Sequence, residues 1–318
     1  MPKTSVIVCT YNGQSYLTEQ LESLLKQDIL PDEIIIIDDA SKDDSWKLIV
    51  EFKNSNIHAC IRTYKNDKNI GFVANFSQAA LLATNEIVFF CDQDDVWSEN
   101  KVSTITQLFT NDPLLTCVHT NADVVNEHLE SSGKDLFTAL KIDKHEMRAM
   151  QAGDYFEVLI RRNVVTGATM VIRRDMLIKS LPIPPGWIHD EWISIFNSTA
   201  GKVALQNKNL IKYRIHDKNT LGLGEKNSNL KNLLIRDSVK HFYSARISKL
   251  TELRDRGIAD TGQSQYLESY LSHLKWRLLI STSPLPKKIL PIVSKIIDGS
   301  YKKFSRGMFS AIRDFFSF

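Results

Sequence analysis

Two apolar runs in this chain end in the same abrupt way. Glu33-Ile34-Ile35-Ile36-Ile37 stops at Asp38-Asp39, and Ile87-Val88-Phe89-Phe90-Cys91 stops at Asp92-Gln93-Asp94-Asp95. A short, continuous β-branched and aromatic run reads as a strand covered on both faces. Carboxylates directly beyond it place its C-terminal end at a crevice, where ligands of open α/β sheets bind. Acids as crowded as Asp92, Asp94 and Asp95 repel one another unless a cation neutralises them. Hard oxygen donors of this kind suit Mg²⁺ or Mn²⁺ that also holds phosphates. The plainer alternative is a solvated acidic turn, with Ser98 as N-cap and Glu99 in the first turn of the next helix.

Strand and helix alternate through the first half. Residues 5–10 read as a buried strand, Tyr11-Asn12-Gly13 as a turn, and the next segment as a helix with Leu17, Leu21, Leu24 and Leu25 on one face. Residues 41–44 open a second helix. A third strand is expected at 57–62, and Asn69-Ile70-Gly71 leads into a helix containing 74–83. This order implies an α/β fold with a mostly parallel sheet. Beyond about Thr116 the strands shorten, at 116–119, 167–172, 202–205 and 209–213. From Asn227 the chain reads as helical and amphipathic, first through Leu230, Leu233 and Leu234, later through Tyr266, Leu267, Tyr270, Leu271 and Leu274. Pro284, Pro286 and Pro291 are expected to break that region into pieces.

A chain of 318 residues with 43% hydrophobic content can bury one large core and carry an appendage. Its net charge of +3 is far too small to argue for nucleic acid as the main partner. The end is nevertheless basic, with Lys287, Lys288, Lys295, Lys302, Lys303, Arg306 and Arg313 against Asp298 and Asp314. Of Cys9, Cys60, Cys91 and Cys117, the first and third sit in apolar runs, and the absence of C-x-x-C spacing excludes a zinc knuckle or redox pair. A reducing cytosol fits best. No apolar stretch approaches the roughly 20 residues of a spanning helix, so a soluble or peripheral protein is expected.

The motifs, taken in order, resemble those of glycosyltransferase family 2. They are Val8-Cys9-Thr10-Tyr11-Asn12, Asp38-Asp39-Ala40-Ser41-Lys42-Asp43-Asp44-Ser45, Asn69-Ile70-Gly71, Asp92-Gln93-Asp94-Asp95-Val96-Trp97, Thr166-Gly167-Ala168-Thr169, His189-Asp190-Glu191-Trp192 and Tyr213-Arg214-Ile215-His216, spread over residues 4–220. The resemblance implies an inverting enzyme that uses a nucleotide-diphospho-sugar. It also implies a single nucleotide-binding domain of the glycosyltransferase A type with a mixed, mostly parallel sheet over residues 1–222, followed by a basic, amphipathic helical region at 223–318. The Asp-Gln-Asp-Asp-Val-Trp, His-Asp-x-Trp and Tyr-Arg-x-His forms resemble bacterial rhamnosyltransferase-type members that build surface polysaccharides.

The family likeness implies roles residue by residue. Thr10, Tyr11 and Asn12 lie where the nucleobase sits, Asp39 accepts the imide N–H of uracil or thymine, and Asn69, Gly71 and Asn75 approach the nucleoside. Asp94 and His216 bind Mn²⁺ or Mg²⁺. Asp92 binds the metal or the ribose, Asp95 is an alternative ligand, and Arg214 is a charge partner of the diphosphate. Asp190 is the base that deprotonates the acceptor hydroxyl, with Glu191 its close rival. A first-turn acid favoured by the helix dipole is the plainer account of Asp190, and an Asx turn that of Asp38 to Ser41. Asn121 stands where related sequences often carry aspartate, and His119 reads as a packed strand residue.

The expected activity is transfer of a sugar, such as L-rhamnose from dTDP-L-rhamnose, to a lipid-linked or cell-surface glycan. A UDP-hexose or UDP-N-acetylhexosamine transferase and a non-catalytic nucleotide-sugar sensor are the alternatives. An NAD-dependent oxidoreductase is disfavoured because Thr10-Tyr11-Asn12-Gly13-Gln14 stands where G-x-G-x-x-G would follow the first strand. The apolar and basic residues of 289–318, including Phe304, Phe315 and Phe318, point either to the cytoplasmic face of an anionic membrane or to packing on the catalytic domain or a second copy.

Overall fold

The computed structural model describes residues 1–217 and 236–316, apart from the side chains of 236–238. The expected helical positions Leu230, Leu233 and Leu234, and the terminal Phe318, lie outside the described residues. The chain divides into two compact units, Met1–Leu159 with Asn163–Gly224, and Ile160–Arg162 with Glu225–Phe318.

The first unit is built on one mixed sheet. Its strands are β1 (Thr4–Thr10), β2 (Glu33–Asp38), β3 (Ile61–Lys65), β4 (Ile87–Cys91), β5 (Val96–Trp97), β6 (Leu115–Val125), β7 (Ser131–Asp135), β8 (Met170–Arg173) and β9 (Lys202–Arg214). Their order is β3-β2-β1-β4-β8-β6-β9-β5, with β7 on β6. The β3, β2, β1 and β4 pairs are parallel, β8 lies antiparallel between β4 and β6, and β6 and β9 are again parallel. Along β1, Val6, Ile7 and Val8 are all fully buried, as are Ile35, Ile36 and Ile37 along β2. Strands without an exposed face require cover on both sides. That cover comes from α1 (Leu17–Leu25), α2 (Ser45–Ser55), α3 (Phe72–Leu82), α4 (Lys101–Asn111), α5 (Leu136–Ala139), α6 (Lys144–Ala152), α7 (Tyr155–Arg161), α8 (Arg174–Lys179) and α9 (His189–Ala200). On α1, Leu17, Leu21 and Leu24 are buried at helical spacing.

Several boundaries depart from the sequence reading. Residues 57–60 belong to a turn closed by Ala59 N donating to Asn56 O at 3.0 Å, so β3 starts later than expected. The next departure is at β9, where two expected strands are one. Its pairing passes from Thr120↔Gln206 to Asn121↔Asn209, so Asn207 and Lys208, which fall between the two expected strands, form a bulge instead. Residues 167–169 form a 3₁₀ turn before β8. Asn100, not Ser98, is the N-cap of α4. Asn121 is structural: its Nδ2 donates to Asp135 Oδ2 at 2.9 Å, and its Oδ1 accepts from Ala122 N and Phe137 N. His119 is fully buried and bonded through Nε2 to Tyr155 Oη at 3.0 Å.

The second unit contains α10 (Arg236–Asp255), α11 (Thr261–Thr282), α12 (Leu285–Ile297), α13 (Ser300–Phe304) and α14 (Met308–Phe316). Pro284 caps α12 and Pro286 lies in its first turn, but Pro291 sits inside the helix rather than breaking it. Among the described residues, no helix is long and apolar enough to cross a membrane. The centre of this unit is Asp314, which is fully buried. Its carboxylate accepts from Arg277 Nε and Nη2 at 2.6 and 2.7 Å, and from the Tyr301 and Tyr243 hydroxyls at 2.9 and 3.1 Å.

Removing one partner of a buried, hydrogen-bonded ion pair leaves an uncompensated charge, at a cost of about 3–5 kcal/mol. Asp314→Ala should lower unfolding stability by that amount in urea titrations of the full chain, and Asp314→Asn by less. A loss under about 1 kcal/mol for the alanine variant would show that Arg277 is satisfied without it.

Candidate active site

The parallel register brings the chemistry-bearing strand ends to one edge. Thr10 pairs with Asp38 and Val8 with Cys91, so the loops after β1, β2 and β4 are neighbours. Asp39 N then donates to Thr10 O at 2.8 Å. Gln93, which the sequence reading passed over, brackets two of these loops. Its Oε1 accepts from Thr10 Oγ1 at 2.7 Å and Tyr11 N at 2.8 Å, while its Nε2 donates to Tyr11 O at 3.2 Å. A Cβ on Gly13 would lie 2.3 Å from that Oε1, so the bracket requires glycine there. Ala40 holds φ 59°, a left-handed conformation that costs a non-glycine residue roughly 1–2 kcal/mol. Ser41 N donating to Asp38 Oδ2 at 3.0 Å helps to hold it.

These loops open onto a cavity of about 540 Å³. Thr10, Tyr11, Asp39, Asn69, Gly71, Asn75, Asp92, Asp94 and Asp190 all line it. Asn12, Arg214 and His216 do not. Asn12 Oδ1 instead accepts from Lys42 N at 2.9 Å, which fixes the β2 loop. The carboxylate of Asp39 is held by Ile70 N and Gly71 N, each at 2.9 Å, and by Asn66 Nδ2 at 2.8 Å. Gly71 is needed for its φ of 83°, since no atom crowds its Cβ position.

Asp94 and His216 meet directly, Oδ2 to Nε2 at 2.9 Å, with the imidazole against the Tyr16 ring at a centroid distance of 4.6 Å. Arg214 is a brace rather than a cavity group. Its main-chain N donates to Asp95 Oδ1 at 3.0 Å, its Nε to Asp94 O at 2.7 Å, and its guanidinium lies 4.5 Å from the Tyr16 ring centroid. Burial, reinforced by the charges of Asp94 and Asp190, pushes Asp92 up to about 7. Asp95 is pushed well up by burial and by Asp94, and its Oδ2 has no hydrogen-bond partner. Lys101, at the start of α4, is the cation that the sequence reading missed. It is fully buried, lies 3.7 Å from the Trp97 ring centroid and donates to Ala168 O at 3.0 Å. Burial pulls it down to about 7, against the opposing pull of Cys91, Asp95 and Asp92.

The expected trio of Asp92, Asp94 and His216 is not assembled as a metal cage. No group of three His, Cys, Asp or Glu side chains able to hold a metal occurs among the described residues. The Asp94 carboxylate fits an ion that takes its remaining ligands from phosphates and water, as Mg²⁺ does with one or two carboxylates, and His216 stands beside it. The raised carboxyls around it are the electrostatic condition that a dication would relieve.

The α9 helix starts after Ile188 and places Asp190, which also lines the cavity, in its first turn. Asp190 accepts from Glu191 N at 2.6 Å, Asn163 Nδ2 at 3.0 Å and Gly167 N at 3.1 Å. Burial nevertheless pushes it up to about 6. Glu191 is buried and does not line the cavity. His189 does, stacked on Phe76 at 4.4 Å and near Phe90 at 5.7 Å, and neither ring nitrogen has a partner. Burial holds it neutral, with a pKa of about 3.

A Cβ on Gly167 would lie 2.5 Å from His189 Nε2. Gly167→Ala should therefore shift either the His189 ring or the loop that donates to Asp190, while the fold remains. A misplacement of roughly 1 Å costs about 100-fold in turnover, which a steady-state assay would register as a fall in kcat. Wild-type kcat in this variant would show that the loop tolerates the shift.

Residues 5–181 match Glycosyl transferase family 2. Over 103 residues the chain is 36% identical to an Escherichia coli protein, UDP-Glc:alpha-D-GlcNAc-diphosphoundecaprenol beta-1,3-glucosyltransferase WfaP, covering 32% of this chain and 39% of that one. Staphylococcus aureus TarS 1-349 in complex with UDP superposes with a TM-score of 0.58 at 15% identity, covering 99% of this chain and 89% of that one. The Pyrobaculum calidifontis mannosyltransferase PcManGT in complex with GDP-Man and Mn²⁺ superposes with a TM-score of 0.55 at 15% identity, covering 99% and 86%. The chain spans 66% and 58% of the length of two curated relatives that it matches over about two thirds of itself. With more than half of its length in that match and the acids at the edge of one glycosyltransferase A-like sheet, the chain belongs to glycosyl transferase family 2.

Proposed function

We propose that this chain transfers a sugar from a nucleotide-diphospho-sugar, with inversion, to a lipid-linked or growing cell-surface glycan. One observation carries the reading: a single cavity has Asp39, Asp92 and Asp94 on the strand-end wall and Asp190 on the α9 wall. The first wall suits a nucleoside diphosphate and the second an acceptor hydroxyl. In this reading the mixed-sheet domain is catalytic, and the basic C-terminal helices contact a partner surface at the cytoplasmic face of the membrane.

The residues divide the work. Thr10, Tyr11, Asn69 and Gly71 frame the nucleoside, and Asp39 stands beside them. Asp94 and His216 would hold Mn²⁺ or Mg²⁺, and Asp92 faces the same charge. Such an ion supplies charge stabilisation to the departing diphosphate, which gains negative charge as the glycosidic bond breaks. Arg214 fixes the Asp94 and Asp95 loop from behind. Asp190 takes the proton from the acceptor oxygen as that oxygen attacks the anomeric carbon on the face opposite the diphosphate. Its three hydrogen bonds aim the carboxylate, and burial makes it basic enough for the step.

The finer reading names dTDP-L-rhamnose as donor, on the Asp-Gln-Asp-Asp-Val-Trp, His-Asp-x-Trp and Tyr-Arg-x-His forms. A UDP-hexose donor is the second reading, favoured by the name of the 36% identical relative, which acts on a diphosphoundecaprenol-linked sugar. Thermal-shift screening of uridine and thymidine diphosphate sugars separates the two, because a donor at 100 times its Kd adds about 2.7 kcal/mol. No response to any of them with Mn²⁺ or Mg²⁺ present would overturn the proposal. A sensor subunit would bind a donor without releasing nucleoside diphosphate.

Asp94→Asn should abolish the metal-dependent part of nucleotide binding, measured by calorimetry with and without chelator, and leave the unfolding midpoint within a few degrees of wild type. Full transfer in chelator would remove the metal from the reaction. Asp190→Asn should lower kcat by about 10²–10⁴-fold and leave nucleoside diphosphate affinity unchanged. If Glu191→Gln shows that signature instead, the base is one residue further on. Because Asp190 must be deprotonated to act and its pKa is raised to about 6, kcat/KM should fall as pH drops below that value. A profile flat to pH 5 would rule it out as the base.

A further inference from the structure

The apolar residues at the end of the chain divide between two faces. On α12, Ile292 and Lys288 are buried, while Ile289, Leu290, Val293 and Ile297 are exposed, Leu290 and Ile297 by 80% and 79%. The spacing of Ile289, Val293 and Ile297 is one residue per helical turn, and Leu290 flanks them on the same side. On α14 the inward residues are Ser310, Ala311 and Asp314. Met308, Phe309, Ile312 and Phe316 on the same helix are each exposed by at least 48%. The two helices pack against each other within this unit.

The inward faces already form a core, in which Ile292 and Ala311 join Ile280 and Tyr301. The outward stripes are therefore surplus to packing within the unit. The segment of chain that bears them is predominantly basic. Helix α12 contains no acid, Asp314 is buried, and Asp298 is tied to Lys295 at 2.8 Å. Lys287, Lys302, Lys303 and Arg306 are exposed nearby in the chain. A two-fold contact between copies would bring this surface against itself and set like charges together. Acidic lipid headgroups meet both of its requirements, accepting the stripes into the acyl boundary and the basic groups at the surface.

We propose that the outward faces of α12 and α14 seat the second unit on the surface of an anionic bilayer. The helices lie in the interface plane rather than crossing it. The benefit to the reaction rests on the lipid-linked acceptor proposed above, but the surface itself does not depend on it.

Co-sedimentation of the full chain with vesicles tests this. Wild type should bind mixed phosphatidylglycerol and phosphatidylcholine vesicles, and binding should weaken with rising NaCl and fall at least about tenfold on phosphatidylcholine alone. Leu290→Gln, Ile297→Gln and Phe309→Gln combined should abolish binding and leave cooperative unfolding and donor turnover intact. Lys287→Glu, Lys302→Glu and Arg306→Glu combined should remove the preference for phosphatidylglycerol. Equal sedimentation of wild type and the apolar variant would overturn the proposal. So would a wild-type dimer that ignores vesicles and dissociates in that variant, an outcome that assigns the face to a second copy. Vesicle binding without donor turnover would instead count against the enzymatic reading alone.

Discussion

The first unit depends on parallel registration of β1, β2 and β4. Because Thr10 lies beside Asp38 and Val8 beside Cys91, the residues just past each strand end are neighbours although dozens of positions separate them in sequence. Those residues are mostly acids, and burial in the strand ends makes their mutual repulsion expensive. Burial first, and the charge of Asp94 second, raise the carboxyls of Asp92 and Asp95. A sheet edge that gathers negative charge in this way is prepared for a positively charged or proton-bearing ligand, and it needs structural help until one arrives.

That help comes from polar residues that brace rather than react. Gln93 ties the β1 loop to the β4 loop, and Arg214 reaches back from the end of β9 to the Asp94 carbonyl. Lys101 extends the bracing to the loop before β8. Its ammonium holds Ala168 O, and the neighbouring Gly167 N donates to Asp190. One buried lysine thus connects the helix that follows the acidic loop to the loop that aims the base. The catalytic residues of the proposed mechanism are few, and each rests on such a partner.

The second unit solves a different problem. Its helices bury an ion pair with two tyrosine hydroxyls around Asp314, which specifies how α10, α11, α13 and α14 meet. Helices α12 and α14 also leave apolar residues outside. Apolar surface of that kind is costly in water, and its persistence beside exposed lysines is the physical reason to look for a lipid surface.

Much of this was legible in the residues. Isoleucine runs ending in acids announced buried strands with a ligand-bearing edge, because only a strand covered on both faces tolerates such continuity. The leucines of α1 announced their face by spacing, and ordered motifs announced the family. Tertiary structure decided the rest. It turned Asn207 and Lys208 into a bulge inside β9, because pairing along β6 on both sides outweighs local turn preference. It put Asp190 rather than Glu191 on the cavity wall, since adjacent residues of a helix point about 100° apart and only the register of α9 against the sheet selects one. It made Arg214 and Asn12 braces, and it revealed Gln93 and Lys101, whose partners lie 67 to 83 positions away. At the C-terminus the composition foretold apolar and basic helices. Which aromatics face inward could be settled only by packing, because burial depends on neighbours that the local sequence does not name.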